Sequence, residues 1–312
     1  MRYLIISLLC LSVLACDPSS EKASPFTFEE GDQGVELFEN GKPVYFYQKR
    51  PKEISDGYIC NNYLHPLYSL NGDTLTEEAP ADHPHHRGIF WSWHQHLIQG
   101  QSIGDGWIMD GISKEVVELK TNAGRDSASL EVIVRWSSTQ FENGEPYLEE
   151  QTVITVHKLD QGIRKIDFGI SLKGLLPGVS LGGSDDEKGY GGFCARIKLP
   201  DDLVFTSTGG PVTPETLQIA AGPWMDFSGT YGSEGDQHGL AILCHPKTPN
   251  YPAPWILRQK SSMQNIVYPG SDPVEIPADR TVKLKYRLVL HPGDADAPDL
   301  DQLQSEFSAS VF

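Results

Sequence analysis

Ala128-Ser129-Leu130-Glu131-Val132-Ile133-Val134-Arg135-Trp136 decides the fold class. Successive side chains of a strand point to opposite faces. Here Leu130, Val132, Val134 and Trp136 fall on one face, with Glu131 and Arg135 on the other. A helical period of 3.6 would scatter the same residues around an axis. Outward from this stretch the pattern repeats. Residues 113–119 alternate before it, and residues 147–157 and 163–172 read as strands after it. Glu142-Asn143-Gly144-Glu145-Pro146 and Asp160-Gln161-Gly162 supply the turns between them. Nearer the start, residues 26–29, 35–38 and 44–47 form a meander, with a hairpin signal at Asn40-Gly41. Residues 58–68, 239–244 and 281–291 are further strands, and only residues 300–307 carry a helical pattern. The prediction is an all-β chain, a single large antiparallel β-sandwich domain over residues 26–312.

The chain opens Met1-Arg2-Tyr3, runs apolar from Leu4 to Ala15 and reaches Cys16. A basic residue, a short apolar core and a small residue before cysteine describe a lipoprotein signal peptide over residues 1–15, with Cys16 as the lipidated residue. The apolar run is too short to span a bilayer comfortably. Residues 16–25, rich in Ser and Pro, then read as a tether. The expectation is a lipoprotein of the periplasm or cell surface, touching membrane through its lipid alone. A net charge of -17 disfavours nucleic acid as a partner. An anionic substrate would need particular arginines to overcome that field. Beyond Cys10 and Cys16 the cysteines are Cys60, Cys194 and Cys244, with no Cys-x-x-Cys. At most one disulfide can form among them, and Cys194 and Cys244 read as packed thiols.

The chemistry concentrates in Asp82-His83-Pro84-His85-His86-Arg87-Gly88, continuing through Trp91 and Trp93 to His94 and His96. Five of the ten histidines fall in these fifteen residues. Imidazole titrates near neutrality and is the commonest metal ligand. Read as extended, the segment puts His83, His85, Arg87, Trp91 and Trp93 on one face and Asp82, His86, Phe90, His94 and His96 on the other. Either face would set imidazoles beside an aromatic wall, as a sugar-binding cleft requires. A hydrogen-bonded surface turn is the plainer reading. His65, before Pro66, either points into the same cleft or is structural.

Three further segments join the candidate site. Residues 181–196 carry closely spaced glycines, three acids, Tyr190 and Arg196, which suits either a loop that closes on a ligand or a solvated surface turn. Gly222-Pro223-Trp224-Met225-Asp226-Phe227-Ser228-Gly229 offers Trp224 and Asp226 as substrate contacts, or Trp224 as core. Residues 245–258 hold four prolines and make a stiff irregular segment, carrying His245, Asn250, Trp255 and Arg258 towards a cleft wall.

Together with His291-Pro292-Gly293-Asp294, these motifs resemble the PmoA-like family, a domain family of otherwise unknown function. The resemblance runs in order from about Phe26 to Asp294. It implies a secreted or lipid-anchored protein associated with polysaccharide use, and a supersandwich similar to the galactose mutarotase type. The methane-oxygenase label often attached to that family does not suit this chain, which has no membrane spans after its leader. The resemblance supplies no mechanism, so the residue roles rest on chemistry.

Four functions are consistent with these residues. The first is a carbohydrate lyase or dehydratase acting on an oligosaccharide. Elimination needs a base, an acid for the leaving oxygen and a cation for the developing enolate. His83, His85, His86, Arg87 and Tyr190 are its catalytic candidates. Trp91, Trp93, Arg196, Trp224, Asp226, Trp255 and Arg258 are its substrate-binding candidates. This reading requires the histidine stretch, the glycine loop and Arg258 to share one cleft. The second is a glycoside hydrolase using two carboxylates from Asp82, Asp185, Asp186, Glu187 and Asp226, with a mutarotase-like isomerase as a variant. The third is chemistry at a divalent metal ion held by His83 and His85. The fourth is a glycan-binding surface protein without catalysis, in which Trp91 and Trp255 would matter more than any histidine.

Overall fold

A computed structural model describes residues 23–232, 235–293 and 297–310. The expected leader and Cys16 lie outside the described residues. Among the described residues no helix is long and apolar enough to cross a membrane.

The chain is all-β. Nine strands form one sheet in the order Ile112–Ala123, Ser127–Ser138, Pro146–His157, Arg164–Gly174, Val282–Pro292, Gln237–Cys244, Trp224–Thr230, Val204–Ser207 and Gly210–Pro211. Eight form the second, in the order Phe26–Glu30, Gly34–Glu39, Lys42–Gln48, Tyr63–Leu67, Ile89–Ser92, Gly192–Ala195, Gln264–Val267 and Trp255–Ile256. Neighbouring strands in both sheets pair antiparallel. A four-stranded sheet, which includes Val179–Gly182 and Gln95–Ile98, and a two-stranded ribbon, Lys52–Ser55 with Tyr58–Cys60, complete the architecture.

The alternation of the decisive stretch is realised in register. Ala128, Leu130, Val132, Val134 and Trp136 are all buried along Ser127–Ser138, while Glu131 and Arg135 face outward. Their face packs on the eight-stranded sheet, and one apolar core draws on both. Aromatic rings interlock across the layers. Trp91 meets Phe168 edge-on at 6.2 Å, Phe168 meets Phe193 at 5.1 Å, and Phe193 stacks on Tyr286 at 4.6 Å. Two large antiparallel sheets sharing a core in this way make a β-sandwich.

A buried carboxylate also ties the layers together. Glu150 accepts hydrogen bonds from the indole N–H groups of Trp91 (2.8 Å) and Trp136 (3.0 Å), from Thr152 (2.6 Å) and from Asn62. Each donor offsets part of the cost of burying the charge. The Lys114 ammonium lies 3.9 Å over the Trp136 ring, and burial lowers its pKa to about 7. The single described α-helix, Leu300–Ala309, is capped by Asp299, whose carboxylate accepts from Gln302 N at 2.9 Å. Cys60, Cys194 and Cys244 are buried free thiols, and burial pushes the Cys244 thiol up to about 12.

The strand Ile89–Ser92 lies inside the eight-stranded sheet and is buried on both faces. Trp91 enters the core between the sheets. Phe90 points the other way, into a smaller cluster with Tyr63, Trp107, Cys194 and Met263. That smaller cluster is the floor on which the candidate site rests.

Candidate active site

The histidine stretch is not a strand up to Gly88. Residues 77–88 leave the sheet and return, joined by Gly88 N to Glu77 O (2.8 Å) and Ala79 N to His86 O (2.9 Å). Inside this excursion His83 N bonds Pro80 O at 3.0 Å and His86 N bonds His83 O at 2.9 Å, two successive turns. The chain re-enters the sheet at Gly88, where φ is +48° and a Cβ would run into the Leu64 carbonyl oxygen. The turns replace the expected two-face alternation and gather three imidazoles on one side. His83 and His86 stack in parallel at 4.6 Å, and His85 stands edge-on to His86 at 4.6 Å and to His83 at 5.8 Å.

One anchor fixes the turn. The Arg196 guanidinium grips Asp82 through two nitrogens, at 2.9 and 2.8 Å, and also binds Glu77 and the Ser262 carbonyl. Ser262 N donates to Asp82 at 2.6 Å. Burial works to raise the Asp82 pKa, but the hydrogen bonds from Arg196, Ser262 and His83 outweigh it and hold the carboxyl well below the usual range. The ionised Asp82 contacts His83 Nδ1 at 2.8 Å. In neutral His83 that contact keeps the proton on Nδ1 and leaves Nε2 as an acceptor.

A second dyad faces the first. His94 Nδ1 lies 2.8 Å from Asp105 Oδ2, while Asp105 Oδ1 accepts from Trp107 N (2.8 Å) and Ile108 N (3.3 Å). The His94 ring stacks on Trp107 at 5.1 Å, and Tyr190 stands edge-on to both at 4.9 and 5.0 Å.

These groups line a cleft of about 370 Å³. His83, His85, His86, His94, Trp107 and Tyr190 line it together with Ile256 and Met263 and the cationic Lys188, Arg258 and Lys260. In a chain of net charge -17, the cleft is lined by three cationic side chains and no carboxylate among the described residues. Backbone carbonyls of Glu215 (2.9 Å) and Thr216 (3.0 Å) orient the Arg258 guanidinium. Burial, assisted by the Arg87 charge, lowers His85 to about 4. Burial and the neighbouring imidazoles lower His86 further, to about 2. Both are therefore uncharged near neutrality. Burial, with the Asp186 and Asp105 charges, raises Tyr190, so its phenol keeps its proton.

Arg87 lies beneath the cleft rather than in it. It is fully buried, donates to the His85 carbonyl at 2.8 Å and sits 4.7 Å over the Phe90 ring. Its Nε and Nη2, with His86 Nδ1 and His94 Nε2, are buried and find no hydrogen-bond partner among the described residues. Native interiors rarely leave polar atoms unpaired, and such atoms concentrate at sites where chemistry or solvent is handled.

The structure thus brings His83, His85, His86, Tyr190 and Arg258 into one cleft, joining the three segments the sequence singled out. Several other candidates stand elsewhere. Trp91 and Trp93 are fully buried, their indole N–H groups spent on Glu150 and on the Tyr268 carbonyl, so the expected aromatic wall is absent. Trp255 is buried in the same core and donates to Gly222 O at 3.0 Å. Trp224 packs near the helix and donates to Asp301 at 2.8 Å. Asp226 is buried, 3.0 Å from His291 Nε2. Arg196 is the clamp on Asp82 and not a cleft residue. His65 pairs with Thr76 at 2.9 Å, and His96 lies in the core against the Tyr147 hydroxyl at 2.7 Å.

Ligand atoms close enough for a metal, within 4.8 Å, occur at Asp73, Asp236 and His238, away from the cleft; among the described residues the cleft histidines form no such group. His83, one of the two metal candidates, already engages Asp82 through Nδ1. The glycine loop is pinned rather than free to close. Asp186 accepts from Ser184 Oγ (2.7 Å) and Lys188 N (3.0 Å), and Gln218 holds the Lys188 carbonyl at 2.7 Å.

Asp105, Trp107, Lys188, Lys260 and Met263 were not legible as site residues, and neither was the role of His94. The one available signal was Asp105-Gly106-Trp107 closely following His94, and it has no local periodicity to mark it.

The chain belongs to the family of unknown function DUF6807, whose model matches residues 34–305. That match supports no activity and does not bear on the PmoA-like name. No curated protein matches the sequence. Among solved structures, one similar chain is the GH36 alpha-galactosidase AgaA from Geobacillus stearothermophilus, solved with stachyose, at 10% identity and a TM-score of 0.30. The alignment covers 86% of this chain and 41% of that enzyme, less than half its length. So distant a likeness carries nothing about substrate.

Proposed function

We propose that the cleft is an acid–base active site that eliminates a leaving group from a carboxylate-bearing sugar unit of an oligosaccharide. The observation that carries this reading is the pairing of two Asp–His dyads and two uncharged imidazoles with Tyr190 and three cations, in a cleft without a lining carboxylate. A uronate unit presents what such a cleft can use. Its carboxylate binds cations, and its C5 proton, next to that carboxylate, is acidic. In the reaction, His83 Nε2 takes the C5 proton. The C5–H electron pair becomes the C4=C5 double bond, the C4–O bond breaks, and the leaving oxygen takes the Tyr190 phenol proton. The negative charge of Asp82 stabilises the imidazolium formed on His83, and Arg258 steadies the charge developing on the substrate carboxylate. No water is consumed.

Hydrolysis is less well supported. Of the carboxylates considered for it, Asp82 is locked to Arg196, Asp226 lies by His291, and Asp185, Asp186 and Glu187 are exposed on the loop. None lines the cleft. A leader ending before Cys16 would place the enzyme where extracellular polysaccharide fragments arrive.

Turnover and binding, measured separately on a uronate oligosaccharide panel, test the proposal. His83→Ala is expected to lower kcat by about 10²-fold or more with affinity nearly unchanged. Binding without turnover by the wild-type protein, across substrates that demonstrably occupy the cleft, would make it a glycan-binding protein instead. In that case Tyr190, which is half-buried at the cleft, and not the buried Trp91 and Trp255, would be its aromatic contact.

A further inference from the structure

The cleft does not end at the histidines. Beyond His94 lies a second cavity of about 520 Å³, lined by Asp105, Asp110, Asp185, Gln95, Gln140 and Ser184. Beyond Arg258 lies a third of about 440 Å³, which shares Lys188, Arg258 and Lys260 with the central cleft. The glycine loop runs along all three. Ser184 and Asp185 face the second cavity, Tyr190 the central one, and Lys188 both the central and the third. Its internal bonds, from Ser184 Oγ and Lys188 N to Asp186 and from Tyr190 N to Ser184 Oγ, fix the backbone from which these side chains project. Charge is uneven over the three, with Asp105, Asp110 and Asp185 in the second cavity and Lys188, Arg258 and Lys260 in the central cleft and the third, where the exposed Glu215 is the one lining carboxylate among the described residues. At the centre His86 is almost wholly buried and its Nδ1 has no partner among the described residues.

We infer that these three cavities are one groove that binds a linear oligosaccharide of three or more units by its charge order. The inference rests on the elimination reading for what happens at the centre. An uncharged, hydroxyl-rich unit occupies the acidic section, where Asp110, Asp185 and the Gln95 amide oxygen accept hydrogen bonds and the Gln140 amide accepts and donates them. The uronate occupies the centre, its carboxylate towards Arg258 and Lys260. A uronate in the acidic section would face Asp110 and Asp185, a like-charge contact that rejects the wrong chain. The groove therefore selects alternating or mixed acidic oligosaccharides over uniformly anionic ones.

The test is calorimetric binding to the full chain without its leader, using two tetrasaccharides of equal length. In one, galacturonate alternates with a neutral sugar; the other is tetragalacturonate. The alternating chain is expected to bind about tenfold more tightly. In the double variant Asp110→Asn/Asp185→Asn, both on exposed residues, that preference should shrink mainly through tighter binding of tetragalacturonate. Lys260→Gln should weaken both ligands. Equal wild-type affinities, a preference unaltered in the double variant, or no binding of either chain would overturn the inference. The reaction is read out separately. The predicted preference without an unsaturated product would leave the groove standing and remove the elimination reading. Elimination on a single methyl uronoside as efficient as on the tetrasaccharide would do the reverse.

Discussion

His83 is the residue on which most depends. Its Nδ1 contact with Asp82 does two things: it fixes which nitrogen can accept a proton, and it places a charge next to the imidazolium that would form. Asp82→Asn removes the charge that faces both His83 and Arg196, so kcat and stability should both fall, and the kcat loss is read well below the variant's own melting temperature. Tyr190→Phe removes only a phenol proton. Its loss should be largest for substrates with poor leaving groups and small for an activated aryl leaving group that needs no protonation, measured as the ratio of the two rates. Among the candidates, His83, His85 and His86 were legible because residue type alone marks them. Trp91 and Trp93 were misread for a physical reason. Strand parity correctly puts them on one side, but parity does not say which side is covered, and Ile89–Ser92 is covered on both.

At the scale of elements, the excursion from Glu77 to Gly88 shapes the site, and it is held from outside by Arg196 and Ser262. Arg196 is buried while Asp82 and Glu77 are partly exposed, so water compensates part of the charge that survives its removal. Arg196→Ala should therefore cost on the order of 1–2 kcal/mol of stability, seen in denaturant unfolding. Activity should fall as well, although Arg196 lines no part of the cleft. Gly88→Ala should destabilise for a separate reason, a positive φ and a collision with the Leu64 carbonyl. The strands were readable because alternation is local to each segment. The turns at 82–88 were not, since the bonds that define them compete with an extended reading that the residue types equally permit. Asp105 was illegible because its partner, His94, is set by the return of the chain from a neighbouring sheet.

Across the whole molecule, burial of histidines couples stability to acid. His85, lowered to about 4, and His96, lowered to about 3, refuse protons that an unfolded chain accepts near pH 6.5. The native state is unaffected above that pH. As pH falls from about 6.5 towards 4, the unfolded state gains protons first, so stability declines. The melting temperature should drop by several degrees between pH 7 and pH 5, and the decline should be shallower in His85→Gln. The sandwich itself was legible from its decisive strand outward. The position of the cleft was not, because it rests on the face of the eight-stranded sheet turned away from the main core, and nothing local in the sequence distinguishes the two faces. The most direct measurement of the central claim is product mass after reaction of a uronate oligosaccharide in ¹⁸O-water. Elimination at His83 predicts cleavage to an unsaturated fragment, with the product masses, corrected for exchange at the reducing ends, summing to that of the substrate. Products that together gain one water, labelled with ¹⁸O, would contradict it.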